Sequence, residues 1–562
     1  MKKLLLIPLI VILAVTMVLG SCGEEETTAP TSAPTSAPTS APTSQPTDQP
    51  TDQPTDQPTD QPTDQPTTPP EPYGTLTVAQ VNFGVESNDP TLFESTWAMY
   101  FADSLIAFDQ NGNYIGEVAE TWDLANDGVT WTFNIRHGMK FHNGDPVTAN
   151  DVFFTMERFT SDESKNPWSP GLRDNMASHR VVDEYTYEFV TERPEPPLVD
   201  TFCWVRILSK NYFDQVGEEE WRASPIGSGP WKFVKHIPET SYKVEANTEY
   251  WRPEHVPEFQ YLLEIQVTEE STQVAMLKRG EIDIPLGLTT DRRVSLKEDG
   301  WQTRIQGLAA PFILAFVAPH LEAAGPIHDI RIRKALSYSI NREELCATYW
   351  QGEAEPGGRF FLMPGAYGVT DDLIAPDPYD IDLAKSLIAD AGYPGAFADP
   401  VIHAMVTPGP AVDLFQALQG YWKKAGFQVE IEIVEMGVFF AYMFMPQGIE
   451  PDAENAGWIW SWTGGAFNGT YYCRNMYTSY GVHQATKDPA VDALFDQYIV
   501  ELDPVKAKEI YTEWQRAAKE LYTSFGIAFV IPEIIVSDNV GEFTVNPHMA
   551  FQDAACGVKH PR

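Results

Sequence analysis

A mixed α/β architecture in large lobes is expected of this chain, and three observations lead to it. Short runs of strict apolar/polar alternation mark strands, while other runs carry their apolar residues at helical spacing. The two kinds of run are mixed along the whole length rather than segregated, which favours α/β lobes over a sandwich or a bundle. Beyond a low-complexity N-terminal stretch about 490 residues remain, enough for two or three domain-sized units with sizeable cores. A hydrophobic content of 43% and an aromatic content of 12% suit such cores.

The first elements are not part of that body. Lys2 and Lys3 precede an apolar run from Leu4 to Leu19, followed by Gly20, Ser21 and Cys22. Sixteen residues fall short of the roughly 20 that cross a bilayer as a helix, so residues 1–21 read as a secretory signal removed on export. The quartet ending in Cys22 resembles the lipobox of bacterial lipoproteins, which implies a lipid on Cys22. Two or three acyl chains anchor stably where one binds reversibly. Residues 22–72 then form a lipidated cysteine and a tether, with APTS repeated four times from Ala29 to Ser44 and QPTD five times from Gln45 to Asp64. Such composition builds no core. Its reach is roughly 150 Å if extended at about 3.1 Å per residue, and nearer 40 Å if flexible.

In the body, Asn126, Asp127 and Gly128 form a turn signal before Trp131, Phe133 and Ile135, which alternate with Thr132, Asn134 and Arg136. Alternation of this kind buries one face of a hairpin. Tyr185, Tyr187 and Phe189 repeat it. Toward the C-terminus Asp488 and Pro489 cap a helix carrying Val491, Leu494, Phe495 and Tyr498 on one stripe. Asp503 and Pro504 start another, with Ala507, Ile510, Tyr511, Trp514, Ala518 and Leu521 inward.

The net charge of −41 excludes nucleic acid as a partner, since phosphates repel such a surface and no Lys/Arg cluster offsets it. Four cysteines besides Cys22 (Cys203, Cys346, Cys473 and Cys556) are widely spaced without a CxxC pair, which argues against a zinc-finger site and leaves disulfide pairing open. His137 and His142 straddle Gly138 near a strand end and are not expected to hold a metal. Neither a metal nor another cofactor is called for. The chain lacks a GxSxG elbow and an HExxH helix, so a secreted hydrolase, the main rival from the enzyme class, has no sequence handle. A surface adhesin is a further rival.

The segment VAETWDLANDGVTWTFNIRHGMKFHNGDPVTANDVFFTMERF, Val118 to Phe159, resembles the signature of family 5 extracellular solute-binding proteins, the peptide and nickel binding group. IGSGPWKFVKHIPETSYKVEANTEYW (Ile226 to Trp251), HDIRIRKALSYSINREEL (His328 to Leu345), DLAKSLIADAGYPG (Asp382 to Gly395) and DPAVDALFDQYIVELDPVKAKEIY (Asp488 to Tyr511) are similar to the family in the family's order. The resemblance implies a two-lobed α/β fold like that of periplasmic binding proteins, closing over a solute and delivering it to ABC transporter permease subunits. A receptor that senses the solute would use the same fold. Lobe I is expected in three pieces, 73–116, 225–310 and 526–562, with 117–224 as its inserted subdomain and 311–525 as lobe II. Crossovers near Pro311 and Phe525 would form the hinge. The protein is expected to act as a monomer at the membrane surface. Gly227 and Gly229 are read as a tight turn.

For the site, Trp458, Trp460 and Trp462 in GWIWSWTGGAFNGTYY form the densest aromatic cluster, on one face if extended. Indoles offer contact area with one polar handle, which suits a ligand cavity, and equally suits a core strand. Peptide-binding relatives carry an aspartate here for the peptide's α-ammonium, and Ser461 stands at that position. Asp89, Asp103 and Glu435 are the acids that remain as substitutes, while an oligosaccharide would need none. Asn82 and Phe83 after the opening strand, and Arg359 with Phe360, lie where relatives line the cleft.

Overall fold

The computed structural model describes residues 71–541 apart from 84–85, 93–96, 110–112, 167, 306–309, 359–361, 363, 395–400, 408–409, 436–437, 440–454, 464–469, 482, 484–485 and 532. Three sheets organise the body. The first is five-stranded and centred on Thr75–Gln80, which runs parallel to Tyr261–Gln266 on one side and Ile284–Leu286 on the other. Ser241–Ala246 and Trp231–Ile237 extend it antiparallel. Leu76, Val78, Trp97, Tyr100, Trp231 and Tyr242 fill its core.

The second sheet lies within the segment between the first sheet's strands, in the order Ala119–Leu124, Thr130–Ile135, Thr186–Thr191, Met176–Asp183. Here the expected hairpin forms. Asp127 accepts from the amides of Val129 and Thr130, Gly128 supplies a φ of +73°, and Trp131, Phe133 and Ile135 are buried with Thr132 and Asn134 outward.

The third sheet has six strands, in the order Ala354–Pro356, Ser524–Val530, Ala310–Phe316, Ile459–Thr463, Ile402–Val406, Val429–Ile433. Alternation along its central strand assigns Phe312, Leu314 and Phe316 to a core shared with helices Ile330–Tyr338, Arg342–Thr348, Ile381–Asp390 and Pro410–Ala425. Ile313 and Ala315 face the other way, into a core shared with the second sheet and with helices Pro489–Ile499 and Pro504–Glu520. Both of these helices start as read: Asp488 accepts from the amides of Ala490 and Val491, and Asp503 from those of Val505 and Lys506.

Two connections join the first and third sheets, and they run side by side. Gln302–Ile305 pairs antiparallel with Glu533–Val536, and beyond them Ala310–Phe316 pairs with Ser524–Val530. The second crossover lies after Val530, not at Phe525. Phe525 pairs with Leu314 and Gly526 with Ile313, so residues 524–530 are held in the six-stranded sheet by ladder hydrogen bonds. Pro311, opposite Phe529, likewise lies just inside that sheet.

Candidate functional site

In a two-lobed protein the strands that cross between lobes floor the cleft, and in α/β sheets ligands collect beyond the carboxyl ends of parallel strands. Both criteria select a small part of the tryptophan segment. Gly457, at φ +84°, turns the chain into Ile459–Thr463, and the strand pairs antiparallel with Ala310–Phe316. Trp462 lies opposite Ile313, close to the end that leads to the crossover, and is half-buried. Trp458 lies at the far end, about 13 Å away at ~3.3 Å per residue. It stacks on His403 at 5.0 Å.

The three indoles pack on the same core cluster, yet they do different things. Trp460 is 2% exposed, stacks on His483 at 5.6 Å and meets Phe439 edge-on at 6.5 Å. It is a core residue. Ser461, opposite Leu314, shares the Ile459 face and therefore points away from Trp460 and Trp462. The strand thus separates Ser461 from the indoles beside which it was grouped.

On the first sheet, Asn82 lies two residues past the carboxyl end of Thr75–Gln80 and is exposed. Phe83 is buried instead, edge-on to Trp97 at 5.6 Å, and belongs to the core. Its place in the loop after the opening strand gave the cleft reading; the competing signal was Trp97, which offers it a ring. Arg359 and Phe360 lie outside the described residues, as do Cys22, Cys556, Gly464, Gly465 and Phe467.

Two of the three acids named as substitutes for Ser461, Asp89 and Asp103, have other employment. Asp89 is fully buried and takes Arg158 at 2.9 Å, Arg222 at 3.1 Å and the amide and hydroxyl of Thr91. Asp103 accepts from the Tyr250 hydroxyl at 2.7 Å and the Trp251 indole at 3.0 Å, and burial together with the nearby Glu117 pushes its pKa up to about 6. Glu435 is exposed. Glu264, at the centre of the first sheet, is filled by Gln80, Trp97 and Tyr100, and burial raises its pKa.

The histidine pair is accounted for by packing. His142 Nδ1 accepts from the Gly227 amide at 3.3 Å while Nε2–H donates to the Gly229 carbonyl at 2.9 Å. This fixes a neutral ring, whose burial pushes its pKa down to about 4. His137 lies against Tyr185 at 4.0 Å. Gly227 and Gly229 owe their place to close approach rather than to a turn dihedral: a Cβ on Gly227 would sit 1.9 Å from the Phe101 carbonyl oxygen. Cys203, Cys346 and Cys473 are buried free thiols.

The model of bacterial extracellular solute-binding proteins, family 5 middle region, matches residues 113–484. Di/tripeptide-binding protein 1 of Pseudomonas aeruginosa is 25% identical over 474 residues, covering 79% of this chain and 86% of its own. The dipeptide-binding protein of Escherichia coli is 25% identical over 375 residues, covering 62% of this chain and 67% of its own. Among solved structures, NikA from Brucella suis in complex with Fe(III)-EDTA superposes with a TM-score of 0.76 at 19% identity, covering 87% of this chain and all of NikA. The periplasmic binding protein DppA of Helicobacter pylori, in complex with peptide STSA, gives 0.72 at 21%, covering 87% and 98%. These last two show the two-lobed fold alone. The chain belongs to the family 5 extracellular solute-binding proteins, the extracytoplasmic components that deliver solutes to ABC transporters.

Proposed function

We propose that this chain is a monomeric lipoprotein, held at the membrane by a lipid on Cys22 and by the repetitive tether of residues 22–72, that binds an organic solute such as a peptide or an oligosaccharide. It acts as a binding protein and not as an enzyme. The solute lies between the carboxyl ends of the parallel strands of the two lobes, with Asn82 on one side and Trp462 on the other, and Arg359 is a further contact. Trp460 supports Trp462 from within the core, and Ser461 takes no direct part. Trp458 extends the aromatic wall away from the floor.

The single observation that carries the reading is the half-buried Trp462 next to the paired crossover strands. A broad apolar ring at that place gains contact area when the lobes close over a solute, and closure follows only if the solute binds the closed state better. Native mass spectrometry of the gently purified full chain, before and after unfolding, tests it. A discrete small-molecule mass lost on unfolding is expected, and Trp462→Ala should lose that mass while still unfolding cooperatively. Retention of the same ligand by Trp462→Ala would remove Trp462 from the site.

A further inference from the structure

The two connections between the first and third sheets pass through the antiparallel pair Gln302–Ile305 and Glu533–Val536. A change in the angle between the sheets is absorbed at or beside this pair. One group of side chains grips it from both sides. Glu353 stands just before the edge strand Ala354–Pro356 of the six-stranded sheet, and its carbonyl accepts from the Ile531 amide at 2.9 Å. Its carboxylate takes Arg293 Nη2 at 2.5 Å, Arg293 Nε at 3.1 Å and Lys297 Nζ at 2.8 Å. Lys297 also pairs with Glu533, the first residue of the returning strand. The turn that delivers Glu353 holds Gln351 at φ +50°, a backbone conformation uncommon outside glycine, and Gln351 bonds Asp291. Asp291, Arg293 and Lys297 all stand on helix Thr290–Glu298.

Arg293 has a further contact that Lys297 lacks among the described residues. Its Nη1 donates to the Leu288 carbonyl at 2.6 Å. Leu288 is buried between exposed Gly287 and Thr289, in the loop that follows the carboxyl end of strand Ile284–Leu286. That strand runs parallel to Thr75–Gln80, and the loops beyond the two strands lie against each other: a Cβ on Gly287 would sit 2.3 Å from Val81 Cγ2, next to Asn82. One guanidinium therefore holds the strand-end loop with one nitrogen and, with the other two, the acid beside the paired crossover strands. Its planar fork fixes the angles between those N–H bonds, so a displacement of the Leu288 carbonyl tilts the bonds aimed at Glu353. A lysine, with all its donors on one centre, transmits no such tilt.

We propose that Arg293 is a positioning residue for closure: it couples residues 287–289, beside Asn82, to the paired crossover strands, so that a solute seated at the loop biases the angle between the sheets. Its part in closure rests on the solute-binding reading, while the coupling itself is a property of the unliganded chain. An ion pair that only stabilised the fold would leave residues 287–289 indifferent to Glu353, which touches them through Arg293 alone among the described contacts.

Hydrogen–deuterium exchange of the unliganded full chain, read by peptide mass spectrometry, tests the coupling. The Thr289 amide, bonded to Glu270 at 2.6 Å, reports on the loop. Glu353→Gln leaves Leu288 held by one N–H of a loosened guanidinium, so residues 287–289 and 533–536 should exchange about fivefold faster while the hairpin strand Thr130–Ile135 keeps its wild-type rate. Lys297→Met should speed residues 533–536 alone. In an Arg293→Met background, where the loop is already fast, Glu353→Gln should add nothing at residues 287–289. If Glu353→Gln does not fold, Arg293→Lys decides: its single ammonium follows the carboxylate and releases the Leu288 carbonyl, so residues 287–289 speed up while 533–536 stay protected. Wild-type rates at residues 287–289 in Glu353→Gln or Arg293→Lys, a further effect of Glu353→Gln in the absence of Arg293, or an equal rise in the hairpin each overturns the coupling. Whether a solute uses the coupling is decided separately, by the small-molecule mass lost on unfolding, so failure of the one does not mimic failure of the other.

Discussion

Glu353 ties the edge of the six-stranded sheet to helix Thr290–Glu298 beside the paired strands Gln302–Ile305 and Glu533–Val536, and Glu353→Gln is expected to destabilise the protein by about 2–3 kcal/mol. The wild-type carboxylate, 4% exposed at its side chain, takes Arg293 Nη2 at 2.5 Å and Nε at 3.1 Å, and Lys297 at 2.8 Å. Both cations stand on helix Thr290–Glu298, whose Leu296 shares a core with Ile535 of strand Glu533–Val536. Glu353 itself precedes the edge strand of the six-stranded sheet. Breaking a buried pair from one side costs about 3–5 kcal/mol, and an exposed pair about 0–1 kcal/mol. Here the acid is buried, but Lys297 is 31% exposed and keeps Glu533, so most of the loss comes through Arg293. Arg293 retains the Leu288 carbonyl at 2.6 Å, which softens it further. Urea unfolding of Glu353→Gln, Arg293→Met and the double variant, followed by tryptophan fluorescence and circular dichroism, gives the coupling energy. A value above about 1.5 kcal/mol that changes little with added salt is expected, whereas one under about 0.5 kcal/mol would mean the pair behaves like an exposed one and would refute the reasoning.

Three further outcomes are expected. Trp460→Ala should cost about 3–5 kcal/mol by opening the core beside His483, while Trp462→Ala costs much less and loses ligand; chemical denaturation of both separates the roles, and equal losses would contradict the division. His142 is neutral and depressed to about 4 in the fold against 6.5 unfolded, so its contribution of about 3 kcal/mol is complete above pH 6.5 and lost as pH falls through 6.5 toward 4. Melting curves of wild type and His142→Asn at pH 5 and 7 check this: the wild type should fall more steeply on acidification, and parallel curves would clear His142. Cys22→Ala should move the protein from the salt-washed membrane fraction to the soluble one, and retention in the membrane would rule out the lipid anchor.

The hairpin at Thr130–Ile135 and the helices capped by Asp488 and Asp503 were legible because each is specified by residues a few positions apart: a turn and an alternation, or a cap and a stripe. The exit at Val530 was not, because Ser524–Val530 is apolar on both faces and only its pairing with Ala310–Phe316, more than 200 residues earlier, shows where the sheet ends. The tryptophan cluster was half legible. Its period placed the indoles on one side, but which of them is sealed in the core and which stays half-buried depends on His483, Phe439 and the direction of the crossover, all distant or set by topology.

The same distinction governs the search for a charge to replace Ser461. From composition alone Asp89, Asp103 and Glu435 are equivalent carboxylates. What separates them is the donors the fold delivers: Arg158 and Arg222 reach Asp89 from 69 and 133 residues away, and Tyr250 and Trp251 reach Asp103 from 147 and 148. A carboxylate so supplied gains little from a ligand's ammonium, because the new bond replaces one already made. Availability for binding is therefore read from the hydrogen bonds a buried acid lacks, and on that measure neither Asp89 nor Asp103 stands in for an acid at Ser461.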